Sequence, residues 1–242
     1  YLGTCATHNP REWHGQDGTP RQGTGGQGLG SNNPTRLYGI SRNVKAYYSI
    51  LIIHYLLLIG MIYPIVIYGS QILRNESEDI TPDYPELKKL IEDMWTTLAE
   101  AEGVGLAAPQ IGKNIRLFIV DCTPWGEDDP SLADYRKVFI NAEIYERSEE
   151  TSLFEEGCLS LPGLHENVRR PVSIRMRYLD ENFVEHDEEF TGKPARVIQH
   201  EYDHIEGMVF TDHLAPIRKN LIKNKLQKMA RGSYKAFYKT KR

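Results

Sequence analysis

The run Gln199-His200-Glu201-Tyr202-Asp203-His204-Ile205-Glu206-Gly207 constrains this chain more than any other. Two histidines four residues apart lie one turn apart on the same face of a helix, so both imidazoles can reach one metal ion. Glu201, next to the first histidine, is placed to act as base toward a metal-bound water. The same spacing also occurs on ordinary solvated helix faces, so the pattern needs support from the rest of the chain.

A catalytic metal site takes three protein ligands and leaves one position open. In the longer pattern H-E-x-x-H-x-x-G-x-x-H the third ligand is a downstream histidine; here Gly207 matches the glycine, but Phe210 occupies the histidine position. Glu206, Asp212 and His213 follow too closely to serve, which sends the search upstream. Cys158 is the best candidate there, because a thiolate binds Zn²⁺ or Fe²⁺ strongly, and His165 is the alternative. Taken alone, Cys158 reads as a buried structural thiol.

Composition limits the class without choosing a function. The chain has 242 residues, 40% hydrophobic and 26% charged, with a net charge of -4, as in an ordinary soluble protein. Its three cysteines, Cys5, Cys122 and Cys158, are odd in number and have no framework spacing. That usage fits a reducing compartment with free or metal-bound thiols.

Residues 1–45 are rich in Gly, Asn, Pro, Thr and Gln and carry too little apolar surface to offset chain entropy, which predicts disorder. An apolar block from Tyr47 to Tyr68 follows. Its second half, Met61 to Gly69, has the β-branched density of a first strand. Removing that half leaves about a dozen apolar residues, roughly 18 Å of helix, too short for a ~30 Å hydrocarbon core. A tether through residues 46–68 is the competing reading. Met61 is a candidate start, with residues 1–60 as an extension.

Leu87, Leu90, Ile91, Met94 and Leu98 predict a helix within Thr81–Gly103, with Pro85 in its first turn. Gly103 to Gly112 reads as a loop whose small side chains allow close backbone approach. Strands are expected at Ile115–Val120, Val138–Glu146 and Val172–Tyr178, the last pairing with Phe183–Phe190 across Asp180-Glu181-Asn182. Cys122–Asp134 reads as a polar surface loop. After Asp212 the chain carries ten Lys and Arg and no acid, with Ile217, Leu221, Leu226 and Met229 marking a weakly amphipathic helix. Such a segment is either a solvated helix with a frayed tail or a surface for nucleic-acid phosphates.

Three stretches together carry a resemblance: Gly103-Val-Gly-Leu-Ala-Ala-Pro-Gln110, Glu156-Gly-Cys158-Leu-Ser160 and Gln199-His-Glu-Tyr-Asp-His204. In that order they resemble the three signature motifs of peptide deformylases, over about Met61 to Lys228. The resemblance implies an α+β fold, with antiparallel or mixed β-sheets around a central metal-binding helix and a C-terminal helix. It divides the chain into an extension (1–60), a catalytic domain (61–228) and a basic tail (229–242).

The implied activity is removal of the N-formyl group from the formylmethionine of new polypeptides, releasing formate. Cys158, His200 and His204 would hold one divalent ion, Fe²⁺ in the family's usual case, with Zn²⁺, Ni²⁺ or Co²⁺ also able to bind. Glu201 would be general base and acid; the Leu159 N–H and the Gln110 amide would stabilise the oxyanion. Gly105, Gly157 and Val197 would contact substrate, Val197 lining the methionine pocket. Arg196 departs from a usually apolar position, and its head is expected to reach solvent. Arg170 and Asp203 are expected to pair behind the metal helix. The implied setting is the cytoplasm, with ribosome docking through the basic C-terminal segment and no stable membrane partner. A metallopeptidase and a non-catalytic binding module are the rivals; the presence of Glu201 and Gln110 argues against the second.

Overall fold

A computed structural model describes residues 60–242. The expectations of disorder over 1–45 and of an apolar segment up to Ile59 lie outside the described residues. Among those residues no helix is long and apolar enough to cross a membrane.

Alternation builds the main sheet. β2 (Gly105–Ala107), β3 (Leu117–Asp121), β4 (Arg136–Arg147), β7 (Ser173–Leu179) and β8 (Glu185–Thr191) hydrogen-bond in that order, every neighbouring pair antiparallel. Leu117 and Ile119 belong to one core cluster, Phe118 and Val120 to a second, and all four are fully buried. Successive side chains on a strand point to opposite faces, so β3 is covered on both sides. The first core takes α1 (Leu87–Glu100) through Leu90, Ile91, Met94 and Leu98. The second takes α2 (Gly192–Ile205) through Ala195, Val197, Ile198 and Ile205.

The hairpin of β7 and β8 forms as expected, Ile174 and Met176 inward and Arg175 and Arg177 outward. Other elements differ from expectation. The strand expected over Met61–Gly69 is only β1 (Ile65–Val66), and Pro85 precedes α1 rather than lying in its first turn. The loop expected at 103–112 contains β2 and a 3-10 helix, Ala108–Ile111. The expected polar loop from Cys122 contains two 3-10 turns and buries Cys122 and Leu132.

β5 (Thr151–Gly157) and β6 (His165–Pro171), like β2, were not anticipated and form a separate two-stranded sheet. α3 (Pro216–Ala230) buries Ile222 and Met229 and exposes Ile217 and Leu221. Beyond it the chain turns, and β9 (Thr240–Lys241) pairs in parallel with β1.

Candidate metal centre

Helix α2 carries most of the site. Its termini are set by local chemistry: Gly192 (φ +60°) opens it, and Gly207 (φ +71°) follows its last turn. A Cβ on Gly207 would lie 2.7 Å from the Arg74 carbonyl oxygen, so both the backbone angle and the space call for glycine. Ten of the helix's fourteen residues are buried, and Arg196, Gln199, His200, Glu201, Asp203 and His204 are among them. Buried polar groups at this density need partners.

The β5–β6 hairpin supplies those partners. Its last pair is Gly157 opposite His165, and the connecting loop begins with Cys158. Cys158 Sγ lies 3.2 Å from His204 Nε2, and one donor atom from each of Cys158, His200 and His204 falls within 4.8 Å of the others. All three residues are buried. His165 is exposed and outside this group, which leaves Cys158 as the upstream donor. The downstream candidates are engaged elsewhere: Glu206 pairs with Arg116, Asp212 with Arg74 and His213 with Asp203.

Behind the donors lies a closed charge network. Glu156 Oε2 is 2.9 Å from His200 Nδ1, while Arg170 donates to the same carboxylate at 2.6 and 3.0 Å. Arg170 also meets Asp203 at 2.8 Å, the pairing expected from the sequence. Arg196 corrects an expectation. Its guanidinium is buried and donates to Glu156 Oε1 (3.2 Å), the Val168 carbonyl (3.1 Å) and Ser152, instead of reaching solvent. Two carboxylates thus face two guanidinium groups, and buried ions persist only when matched in this way.

These neighbours set the ionisation of the site. Burial opposes charge on Cys158, but His204 and His200 outweigh it and hold the thiol well below its ordinary range. Burial lowers His200 as well; Cys158 and Glu156 override that and raise it to about 10. Glu201 behaves oppositely: burial pushes it up to about 7, with His200 and His204 pulling it back. A carboxyl near neutrality is suited to taking and returning a proton.

Gln110 sits on the short 3-10 helix after β2. Its Oε1 accepts from the Ala107 N–H at 2.8 Å, which orients the amide so that Nε2 faces Cys158 Sγ (3.5 Å) and Ser160 Oγ (3.4 Å). Gly105, on the sheet's edge strand, is needed for space: a Cβ there would lie 2.3 Å from Glu201 Oε1. Gly157, the last residue of β5, and Leu159, in the loop, are buried on either side of Cys158, and Val197 has no exposed surface.

The residues present suit a divalent ion. A thiolate and two imidazoles are a borderline-soft donor set, and among the described residues Glu201 Oε2 and His204 Nδ1 are buried without a hydrogen-bond partner. An α+β domain that sets a buried cysteine against an H-E-x-x-H helix, with donors for one divalent ion, defines a class of hydrolases. Residues 62–220 match the family model described as polypeptide deformylase. The chain belongs to that family.

Its relatives include a peptide deformylase from Christiangramia forsetii, 47% identical over 186 residues, covering 74% of this chain and 95% of that protein. One from Cytophaga hutchinsonii is 47% identical over 75% of this chain and 97% of its own length. Among solved structures, the peptide deformylase of Thermus thermophilus aligns with a TM-score of 0.63 at 36% identity, covering 72% of this chain and all of that one.

Sequence reasoning missed Glu156, Arg196 and Ser160 as members of this cluster. The first and last were visible as parts of a motif, without a stated task.

Proposed function

We propose that this chain hydrolyses the N-formyl group of formylmethionyl peptides as they emerge from synthesis, with residues 61–228 as the catalytic domain. The observation that carries the reading is the convergence of Cys158, His200 and His204, with Glu201 beside them holding an unpaired buried oxygen. Cys158 Sγ and one ring nitrogen each of His200 and His204 would hold the ion; Fe²⁺ is the assignment we favour, with Zn²⁺, Ni²⁺ or Co²⁺ compatible with the same donors. A divalent ion bound there supplies Lewis-acid polarisation and lowers the pKa of water from 15.7 toward ~7.

The protein's own groups do the rest. Glu201 takes the proton of the attacking water and returns it to the departing amine. The Gln110 amide and the Leu159 N–H donate to the oxygen on which negative charge develops, where one such donor typically lowers the barrier by ~3 kcal/mol. β2 is an edge strand, so the substrate backbone adds alongside Gly105 as a further strand. Gly157 lets the peptide approach the hairpin corner, and Val197, one turn before His200 and fully buried in the second core, backs the methionine side-chain pocket.

Formate release from a formyl-Met peptide tests this directly. Activity should disappear with a chelator and in Glu201→Gln, whereas cleavage of an unformylated peptide would favour a metallopeptidase instead.

The setting we propose is the cytoplasm, beside the ribosome. The exposed lysines of α3 support docking on ribosomal RNA. Charge reversal at Lys223, Lys225 and Lys228 should abolish co-sedimentation with ribosomes; unchanged co-sedimentation ends that idea.

A further inference from the structure

After α3 the chain turns at Gly232 and runs back across the molecule, beyond the residues 62–220 that the family model matches. Its end is fixed by backbone pairing: the Ile65 N–H donates to the Lys239 carbonyl and the Ile67 N–H to the Lys241 carbonyl, both at 2.9 Å. From that position it reaches both segments that carry the oxyanion donors. Tyr238 Oη donates to the Leu159 carbonyl at 2.7 Å. Lys241 Nζ donates at 2.9 Å to the carbonyl of Ile111, next to Gln110. The same segment walls a cavity of about 410 Å³ whose lining also includes Cys158, Leu161 and Leu164.

We propose that Tyr238 is a positioning residue for deformylation, holding the Leu159 carbonyl so that the adjoining Leu159 N–H stays aimed at the reacting oxygen. This rests on the reading that the Leu159 N–H serves as an oxyanion donor. The loop from Cys158 to Leu161 is short and otherwise tethered at its far side, where the Tyr68 N–H donates to the Ser160 carbonyl and the Leu161 N–H to the Cys158 carbonyl, each at 2.9 Å. The second of those bonds holds the Cys158–Leu159 peptide unit, which carries the Leu159 N–H, at its carbonyl end; the Tyr238 hydroxyl holds the next unit, Leu159–Ser160, and the two together fix the backbone angles at Leu159 that aim its N–H. Hydrogen bonds weaken steeply when the donor angle falls. A small rotation at Leu159 therefore costs transition-state stabilisation without costing substrate affinity.

Tyr238→Phe keeps the ring and removes only the hydroxyl. Tyr234→Phe is the control: it removes a hydroxyl in the same segment whose partner is Thr240 Oγ1, at 3.1 Å, within that segment. Both are compared with the metal-loaded wild type for formate release from a formyl-Met peptide, metal content, thermal midpoint and amide exchange of the 158–161 segment. Tyr238→Phe should lower kcat about tenfold with KM changed less than about twofold, at unchanged metal content and midpoint. Exchange at 158–161 should quicken, and Tyr234→Phe should match the wild type. Wild-type kcat and exchange in Tyr238→Phe would overturn the proposal, as would a loss that Tyr234→Phe shares or that tracks lost metal. A wild type that releases no formate would instead remove the deformylase reading beneath it.

Discussion

Glu156 Oε2 and His200 Nδ1 are 2.9 Å apart, joining the end of β5 to the middle of α2. A carboxylate accepting from Nδ1–H leaves Nε2 free to hold an ion and fixes the ring's orientation. Removing the charge while keeping the shape, as in Glu156→Gln, should weaken metal affinity about 10–100-fold. Competition against a chromophoric chelator measures this. Affinity equal to wild type would show that the ring is oriented without Glu156.

The same carboxylate gives the fold an acid limit. Burial alone would raise Glu156, but His200 and Arg170 hold it well below its ordinary value of 4.5. Asp203 likewise overcomes burial through Arg170 and His213 and lies below its ordinary 3.8. A carboxyl with a depressed folded pKa contributes stability that is complete above the ordinary pKa and lost as pH falls through the folded one. Chelator-treated protein should therefore gain unfolding free energy from neutrality to about pH 5, as the raised Glu201 carboxyl takes up its proton, and lose it progressively below as Glu156 and Asp203 are protonated. Urea titrations at several pH values read the slope, which Glu156→Gln should make shallower. A flat profile to pH 3 would contradict the assignment.

Gly105 and Glu201 form the tightest steric relationship in the site, since a Cβ at 105 would sit 2.3 Å from Oε1. In Gly105→Ala either the carboxylate or the edge strand must shift. Displacing a catalytic group by about 1 Å can cost about 100-fold in rate. We expect kcat to fall by that order with the fold intact, seen as an unchanged thermal midpoint and circular dichroism. Retention of full kcat would mean that Glu201 has room to move without consequence.

The legibility of the chain follows from the range of its signals. The His200 and His204 pair was readable because helix geometry is local, and β7 because its inward positions, Ile174, Met176 and Tyr178, are apolar; β8 followed as its hairpin partner, although Phe190 is the one apolar residue among its inward positions. β6 was not, since its inward residues are Glu166, Val168 and Arg170 while His165, Asn167 and Arg169 face out. Alternation is present there, but two of the three buried side chains are charged, so hydropathy shows no period of two. Cys158 needed motif resemblance, because its meeting with His204 spans 46 residues. The C-terminal return was hidden for a related reason: a basic, weakly amphipathic stretch shows nothing of a Tyr238 bond formed 79 residues away.

Arg196 is the position where sequence reasoning and structure part most clearly, and it sets a stability test. Its guanidinium was expected in water and instead lies buried between Glu156, the Val168 carbonyl and Ser152. Removing one partner of a buried ion pair leaves charge uncompensated, which costs about 3–5 kcal/mol. Arg170 and His200 still neutralise Glu156, so Arg196→Ala should lie at the lower end, about 3 kcal/mol. Arg196→Leu should recover part of that through packing against Phe154, over whose ring the guanidinium now sits at 5.7 Å. Chemical denaturation of the three proteins decides the matter. A loss below about 1 kcal/mol in the alanine variant would return Arg196 to the behaviour of a surface ion pair.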